Sequence, residues 1–447
     1  FGLVFEALRE RQTLSKIASH LVHRLPFLFP IYDKGGMPGW KLRLGLTVYD
    51  MLSLFRGMGW HSFLSPKKIK KSVFPGIREH GLKKGGLYYD CQMNDARIVI
   101  ENILDAERRG ALVRNYCEVT AVDECSTVNE WEVTIQDRRT GEQLDCRTRK
   151  IVNATGPWSD RVAGEWRKET TNYLRPTKGV HLVLPSIRTQ SAGFFPSVHD
   201  DRLFFVIPWR GKTLVGTTDT DYKGNPDDLG VSTEDRDYLL KNVNKYLEYK
   251  TFSESDILYD FAGLRPLYSP GNGAPDESSV SRDHEILEER DSIYSIVGGK
   301  YTTYRAIAEE TLEVMGAPGD CYTDKRMLPG AWESKRRRKV MRNSLELSGD
   351  FNPEQIHELM NTYGGQIIQV LRETKQFEDA LDPVVNSEET LKAQVYYAVL
   401  KEHAHDVDDV IRRRSKLFMR GSDSPELTKQ VRHSMQRARE YSDRSGL

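Results

Sequence analysis

The chain has 447 residues, enough for about three domains at roughly 150 residues each. Its 65 Lys and Arg balance 65 Asp and Glu, which removes the simplest electrostatic case for a nucleic-acid partner. Hydrophobic residues at 38% can build a sizeable core, while a mean hydropathy of −0.57 argues against a polytopic membrane protein.

Phe1 opens directly into a helix, with Phe5, Leu8, Leu14, Ile17, Ala18 and Leu21 at helical spacing and charges between them. A helix entered without a cap and charged from its first turn is no secretory signal, and the expectation is a segment upstream. From Leu3 to about Gly59 the pattern predicts helices broken at Pro26, Pro30 and Pro38. Leu44–Phe55 is the most apolar of these, with Trp40, Trp60 and Phe63 nearby and Lys67, Lys68, Lys70 and Lys71 following. It reads either as an interfacial helix beside a basic lipid contact or as a core helix before a solvated loop.

After Gly86 the units alternate: a helix at Asp95–Arg109 closed by Gly110, then strands at Ala111–Val122, Trp131–Gln136 and Arg147–Ala154. They suggest a mixed sheet with an inserted hairpin turned at Arg139-Thr140-Gly141. Tyr173–Gly263 is β-rich, with strands at Val180–Leu184, Arg202–Trp209 and Thr213–Gly216, and a helix at Thr233–Tyr249. Ser292–Val297 is a strand that Gly298-Gly299 turns into a helix at Thr302–Met315. Beyond Pro329 strand signals vanish, and Glu354–Thr362 and Leu391–Ala404 mark a separate helical domain, with Lys335–Lys339 a solvated helix start. The five cysteines, Cys91, Cys117, Cys125, Cys146 and Cys321, are scattered and never spaced Cys-x-x-Cys, a pattern of a reducing compartment.

Several segments carry chemistry. Ile151–Trp158 is an apolar strand ending at Ala154-Thr155-Gly156, either a plain turn or a close approach to a ligand. Ser295–Thr303 runs from a strand through two glycines to a helix N-terminus, whose free N–H groups suit a phosphate or an electron-rich ring. Period two sets His181 and Val183 opposite Val180, Leu182 and Leu184, so His181 is either structural or handles a proton. Arg265, Arg282 and Lys300 are either solvated charges or a set that converges on a dianion. Asp219 and Asp221 lack the EF-hand spacing, and no metal site is assigned.

Taken in order, several motifs span nearly the whole chain: Gly85–Asp90 with Asn94–Arg97, Asn153–Trp158, Thr177–His181, Ile207–Trp209 and Gly216–Asp219, followed by Gly263–Leu267, Ser281–His284, Gly298–Arg305 and Asp408–Arg414. The ordered set resembles the flavin-dependent (aerobic) glycerol-3-phosphate dehydrogenases, in their bacterial form. The resemblance implies α/β plus α+β architecture: a glutathione-reductase/amino-acid-oxidase-type FAD-binding domain at 1–172, a β-rich substrate domain at 173–263, a return to the FAD-binding domain at 264–328, and an all-helical C-terminal domain at 329–447. It implies FAD, met by Val119 near adenine and by Ala154, Thr155, Gly156, Gly298 and Thr302 along the pyrophosphate and ring. It also implies His181 as base with Lys300 beside substrate and flavin, Arg265 and Arg282 on the substrate phosphate, and Thr218 touching the substrate.

The implied reaction oxidises sn-glycerol 3-phosphate to dihydroxyacetone phosphate and passes electrons to quinone. The implied setting is the inner face of the cell membrane, on an anionic surface, with a homodimer as one assembly. An oxygen-dependent glycerophosphate oxidase and a non-catalytic relic acting as a binding protein are the alternatives. The family opens with a strand–Gly-x-Gly-x-x-Gly–helix unit. No such motif occurs in residues 1–447, so the FAD-binding domain is expected to be truncated at its start.

Overall fold

The computed structural model describes residues 2–33, 38–53, 59–126, 129–167, 172–198, 200, 202–269, 283–420 and 424–445. Helix α1 (Gly2–Ile17) leads into β1 (Val22–Tyr32), α2 (Gly39–Leu52), β2 (Ser62–Leu64), α3 (Pro66–Ser72), β3 (Leu82–Met93) and α4 (Asp95–Glu107). Next come β4 (Cys117–Glu124), β5 (Trp131–Asp137), β6 (Gln143–Thr148), β7 (Ile151–Asn153) and α5 (Ser159–Ala163). The β-rich stretch holds β8 (Leu174–Pro185), β9 (Ala192–Pro196), β10 (Leu203–Trp209), β11 (Lys212–Gly216) and β12 (Thr220–Asp221), closed by α6 (Thr233–Tyr246). β13 (Tyr259–Tyr268), β14 (His284–Arg290), β15 (Ile293–Gly298) and α7 (Tyr304–Val314) follow. The C-terminal domain contains α8 (Lys335–Ser348), α9 (Pro353–Thr362), α10 (Ile367–Thr374), α11 (Lys392–Lys401), a π-helical turn at Asp409–Arg414 and α12 (Pro425–Ser445).

The helices expected around Pro26 and Pro30 are instead one strand, β1, paired antiparallel with β3 from Val22↔Met93 to Ile31↔Lys84. The two prolines are four residues apart, so their missing N–H groups fall on one side of the strand, where a strand tolerates them and a helix interior does not. Pro38 does mark a helix boundary, as the cap of α2. Phe55, expected to end that apolar stretch, lies outside the described residues. Arg147–Ala154 divides into β6 and β7, which enter different sheets.

The main sheet has nine strands in the order β12-β8-β11-β10-β9-β1-β3-β2, with β13 added beside β8. β13 pairs with β8 from Tyr259↔Val183 to Tyr268↔Leu174, straight across the expected divide at 263/264. One face of this sheet is core: Val180, Leu182, Leu184, Phe204, Val206 and Val215 pack on Ile69 and Phe74 and on Leu239 and Val243 of α6. Each such fully buried side chain contributes about 1.5–3 kcal/mol. The opposite face carries Val183, Leu214, Tyr259 and Phe261 and is met by Phe418 and Met419.

A second sheet joins β15 to β7 in parallel and to β14 antiparallel, and β4–β6 form a separate antiparallel meander. The expected hairpin is therefore a sheet of its own. The helical domain locks onto α4 through buried charge. Arg97, 1% exposed, sets Nη1 2.6 Å from Glu402 Oε1 and its guanidinium 4.6 Å from the Tyr363 ring centre. One turn on, Glu101 sits 2.8 Å from His20 Nε2 and accepts the Gly330 N–H at 3.1 Å.

Candidate active site

His181 stands on the non-core face of β8. Its register partners are Gly216 on β11 and Phe261 on β13. The imidazole stacks on Phe261, with centroids 5.1 Å apart and planes 11° apart. Its other side lies against Gly216, where a Cβ would come within 2.2 Å of His181 Cδ2. Burial first, and then the Arg265 charge, push the His181 pKa down to about 4, while Asp95 acts in the opposite sense. The ring is therefore neutral at pH 7 and has a nitrogen able to accept a proton.

Arg265 sits on β13 opposite Thr177, and its guanidinium passes over Gly179, where a Cβ would lie 2.6 Å from Nη2. Gly179 and His181 share one face of β8 two residues apart, which sets cation and imidazole about 7 Å apart along the strand. Arg265 Nη1 donates to Asp219 Oδ1 at 3.0 Å and Nη2 donates to Thr217 Oγ1 at 3.0 Å. Its side chain stays 36% exposed toward the open face. Thr218 is buried, its Oγ1 accepting the Val180 N–H at 3.0 Å, and its carbonyl is 3.4 Å from Arg265 Nη1. Asp219 thus holds Arg265, while Asp221 pairs with Arg175 at 2.7 Å.

The parallel strands β7 and β15 end side by side. Asn153 knots them: its Nδ2 donates to Ser159 O and to Ser295 Oγ, and its Oδ1 accepts from the Thr155 N–H and hydroxyl. Beyond the knot Ala154 and Thr155 are exposed, and Gly156, at φ +57°, faces open space where a Cβ would sit. Gly298 and Gly299, at φ +79° and +88°, turn β15 into the tight turn Tyr301–Thr303. A side chain at Gly298 would run into the Asp283 carbonyl at 2.6 Å and approach Tyr268 Cβ at 3.4 Å, so the end of β13 abuts this turn. Lys300 caps the turn and is exposed, and Thr302 is half-buried within it. Val119 lies on β4 in the meander, 38% exposed.

His181 and Arg265 thus share one face of the main sheet, with Thr218 buried behind them after β11, whereas Ala154–Gly156 and Gly298–Thr302 sit together at the ends of β7 and β15. Arg282 lies outside the described residues. Two residues are given no role in the sequence reading. Asp95, first residue of α4, acts on His181, and its Oδ1 lies 2.8 Å from Lys416 Nζ of the C-terminal domain. The only local signal is that Asp95 lies in the Asn94–Arg97 motif and Lys416 lies just past Asp408–Arg414.

An FAD dependent oxidoreductase family model matches residues 1–301, and the C-terminal domain of alpha-glycerophosphate oxidase matches residues 321–445. A glycerol-3-phosphate dehydrogenase of Synechocystis is 31% identical, with the match covering 94% of this chain and 79% of that protein. The chain belongs to the FAD-dependent glycerol-3-phosphate dehydrogenase family. A D-erythritol 1-phosphate dehydrogenase of Brucella abortus is 30% identical across 94% of this chain and 83% of its own length. Among solved structures, the glycerol-3-phosphate dehydrogenase of Bacillus halodurans complexed with FAD matches with a TM-score of 0.78 at 27% identity, covering 98% of this chain and 81% of that one. FAD is the cofactor of this family, and the residues present fit it at two crossings. The open Gly156 turn and the paired glycines after β15 present backbone with no side chain in the way, at the ends of parallel strands.

Proposed function

We propose that the protein oxidises sn-glycerol 3-phosphate to dihydroxyacetone phosphate and passes the electrons to a quinone. The observation that carries this reading is a neutral, stacked imidazole and a half-open guanidinium on one face of β8 and β13. Ala154, Thr155, Gly156, Gly298 and Thr302 hold the FAD pyrophosphate and ring, with Val119 toward the adenine. When bound, FAD supplies the acceptor for the hydride leaving C2.

His181 takes the C2 hydroxyl proton on an imidazole nitrogen, and the C2–O bond becomes the carbonyl. Arg265, braced by Asp219 and Thr217, binds the phosphate together with Arg282 and so turns C2 toward the hydride acceptor. Thr218 acts from beneath, fixing β8 through Val180 and buttressing Arg265. Lys300 adds positive charge near the developing carbonyl oxygen.

Quinone is reached at an anionic membrane surface. Among the described residues no helix is long and apolar enough to cross a membrane. Helix α2, however, exposes Trp40, Leu44 and Met51 along one stripe, and Trp60 is exposed nearby. Lys67, Lys68 and Lys71 are exposed on α3, which packs through Ile69 on the face of β3 opposite Leu42 and Leu46 of α2, whereas Lys70 is held by Glu79 at 3.0 Å and Glu248 at 2.7 Å.

The Brucella relative supports a second substrate of the same class, a longer polyol 1-phosphate. Both readings share the phosphate contact, and one variant tests it. In flavin-loaded protein, Arg265→Ala should raise KM for glycerol 3-phosphate by about 1.5–3 kcal/mol, the worth of a charge-assisted contact, and leave glycerol almost unaffected. Equal losses on glycerol and its phosphate would refute the assignment, and comparing kcat/KM for glycerol 3-phosphate and erythritol 1-phosphate selects between the substrates.

A further inference from the structure

Lysines are seldom buried without a task. Lys416 is 8% exposed, its ammonium lies 2.8 Å from Asp95 Oδ1, and burial draws its pKa below the usual lysine range against the pull of that carboxylate. Two residues on, Phe418 and Met419 pack with Val183, Tyr259 and Phe261 on the face of the sheet that carries His181. Phe418 meets Tyr259 edge-on at 4.5 Å, and Arg412 Nη1 donates to the Tyr259 hydroxyl at 2.9 Å. The segment from the π-helical turn to Met419 is therefore pinned to β13, and Lys416 is held in fixed relation to β8.

Asp95 is the residue it reaches. Oδ1 receives both the ammonium and the Ala96 N–H at 2.8 Å, and the Tyr301 hydroxyl donates to the Asp95 carbonyl at 2.6 Å. The carboxylate keeps 67% of its surface open while the Lys416 side chain keeps 11%. Asp95 is thus exposed at the start of α4, tied from behind by a buried cation and from the side by the turn that follows Lys300.

We propose that Lys416, supplied by the C-terminal domain, is a positioning residue of the oxidation site that fixes the Asp95 carboxylate and, through it, the charge felt by the His181 ring. The proposal rests on His181 as proton acceptor. The charged groups acting on that ring are Arg265 from β13 and Asp95 from α4, with Lys416 behind Asp95. β11 presents Gly216 there, and the docked C-terminal segment presents Phe418 and Met419. The Arg265 cation disfavours the imidazolium and the Asp95 anion favours it, so the placement of Asp95 sets how readily the ring takes a proton.

Histidine-selective 13C NMR of the substrate-free chain, with the His181 signal assigned through His181→Ala, reads this directly. Asp95→Asn should lower the His181 midpoint from about 4 by roughly half a unit or more. Lys416→Met should lower it part of the way, Lys416→Arg should restore it, and Lys416→Met should add nothing in the Asp95→Asn background. In FAD-loaded protein the acid limb of kcat/KM should move in the same sense. A midpoint unmoved by Lys416→Met, or moved equally with and without Asp95, overturns the proposal. Midpoints that move as expected while the acid limb stays still uphold the role of Lys416 and show that the base is not His181. Should Lys416→Met fail to fold, Lys416→Gln serves in the same cycle.

Discussion

Gly216→Ala places one methyl where the His181 ring lies. The added Cβ would sit 2.2 Å from Cδ2, 2.7 Å from Cγ and 2.8 Å from Nε2, against an optimum of roughly 3.5 Å for carbon pairs. Relief requires the ring to move by more than about 1 Å. The far side is closed by Phe261, stacked at 5.1 Å, so the imidazole cannot simply retreat. Overpacking of this kind costs about 1–3 kcal/mol, and a reacting group displaced by about 1 Å loses roughly 100-fold in rate. Urea unfolding measures the first quantity and anaerobic stopped-flow flavin reduction the second. FAD binding should be unchanged, because its crossings lie on β7 and β15. Flavin reduction within twofold of the parent would refute the argument that Gly216 makes the room in which His181 works.

Glu10 accepts from Arg305 Nε at 2.8 Å and Nη2 at 2.7 Å, with both side chains almost fully buried; Glu10→Ala should cost about 3 kcal/mol in urea unfolding, and a loss under 1 kcal/mol would refute this. His23 and His181 both have pKa values near 4, His23 through burial first and then Arg338, below the ordinary value of about 6.5. The unfolded chain therefore binds more protons between about pH 4 and 6.5, and stability should fall as pH is lowered through that window, by up to about 3 kcal/mol per histidine; equal denaturation midpoints at pH 7 and 5 would contradict it. Changing Lys67, Lys68 and Lys71 together to Gln should weaken flotation with anionic vesicles by about 1 kcal/mol per lysine, whereas Lys70→Gln should act mainly on α3, which its bonds to Glu79 and Glu248 tether. Binding unchanged by the triple variant would end the membrane reading.

The sequence yields the local faces and turns that carry the candidate residues better than it yields the strands around them. Alternation along Val180–Leu184 places His181 opposite the leucines, as the structure has it, because one face of β8 is fully buried and fixes the register. The glycines at 298 and 299 announce their turn for an equally local reason, since both adopt positive φ. β1 is misread because Pro26 and Pro30 look like helix breaks, whereas their spacing sets both on one side of a strand whose pairing with β3 no local pattern shows. β13 goes unseen because Gly263 and Pro266 look like a loop, yet Pro266 falls opposite Pro176 and the ladder continues around them. The Asp95–Lys416 pair joins residues 321 positions apart, and no local pattern encodes it.

Arg97 has a mechanical consequence. A lid opens by parting from its base, and the parting surface must tolerate water and solitude alike. Here, separation would strand a guanidinium matched to Glu402 and Tyr363 and would take the Gly330 N–H from Glu101, all sealed from solvent. Breaking one buried ion pair costs on the order of 3–5 kcal/mol, before any apolar contact is counted. The C-terminal domain is therefore fixed against α4, and any motion that parted the two would meet that cost first.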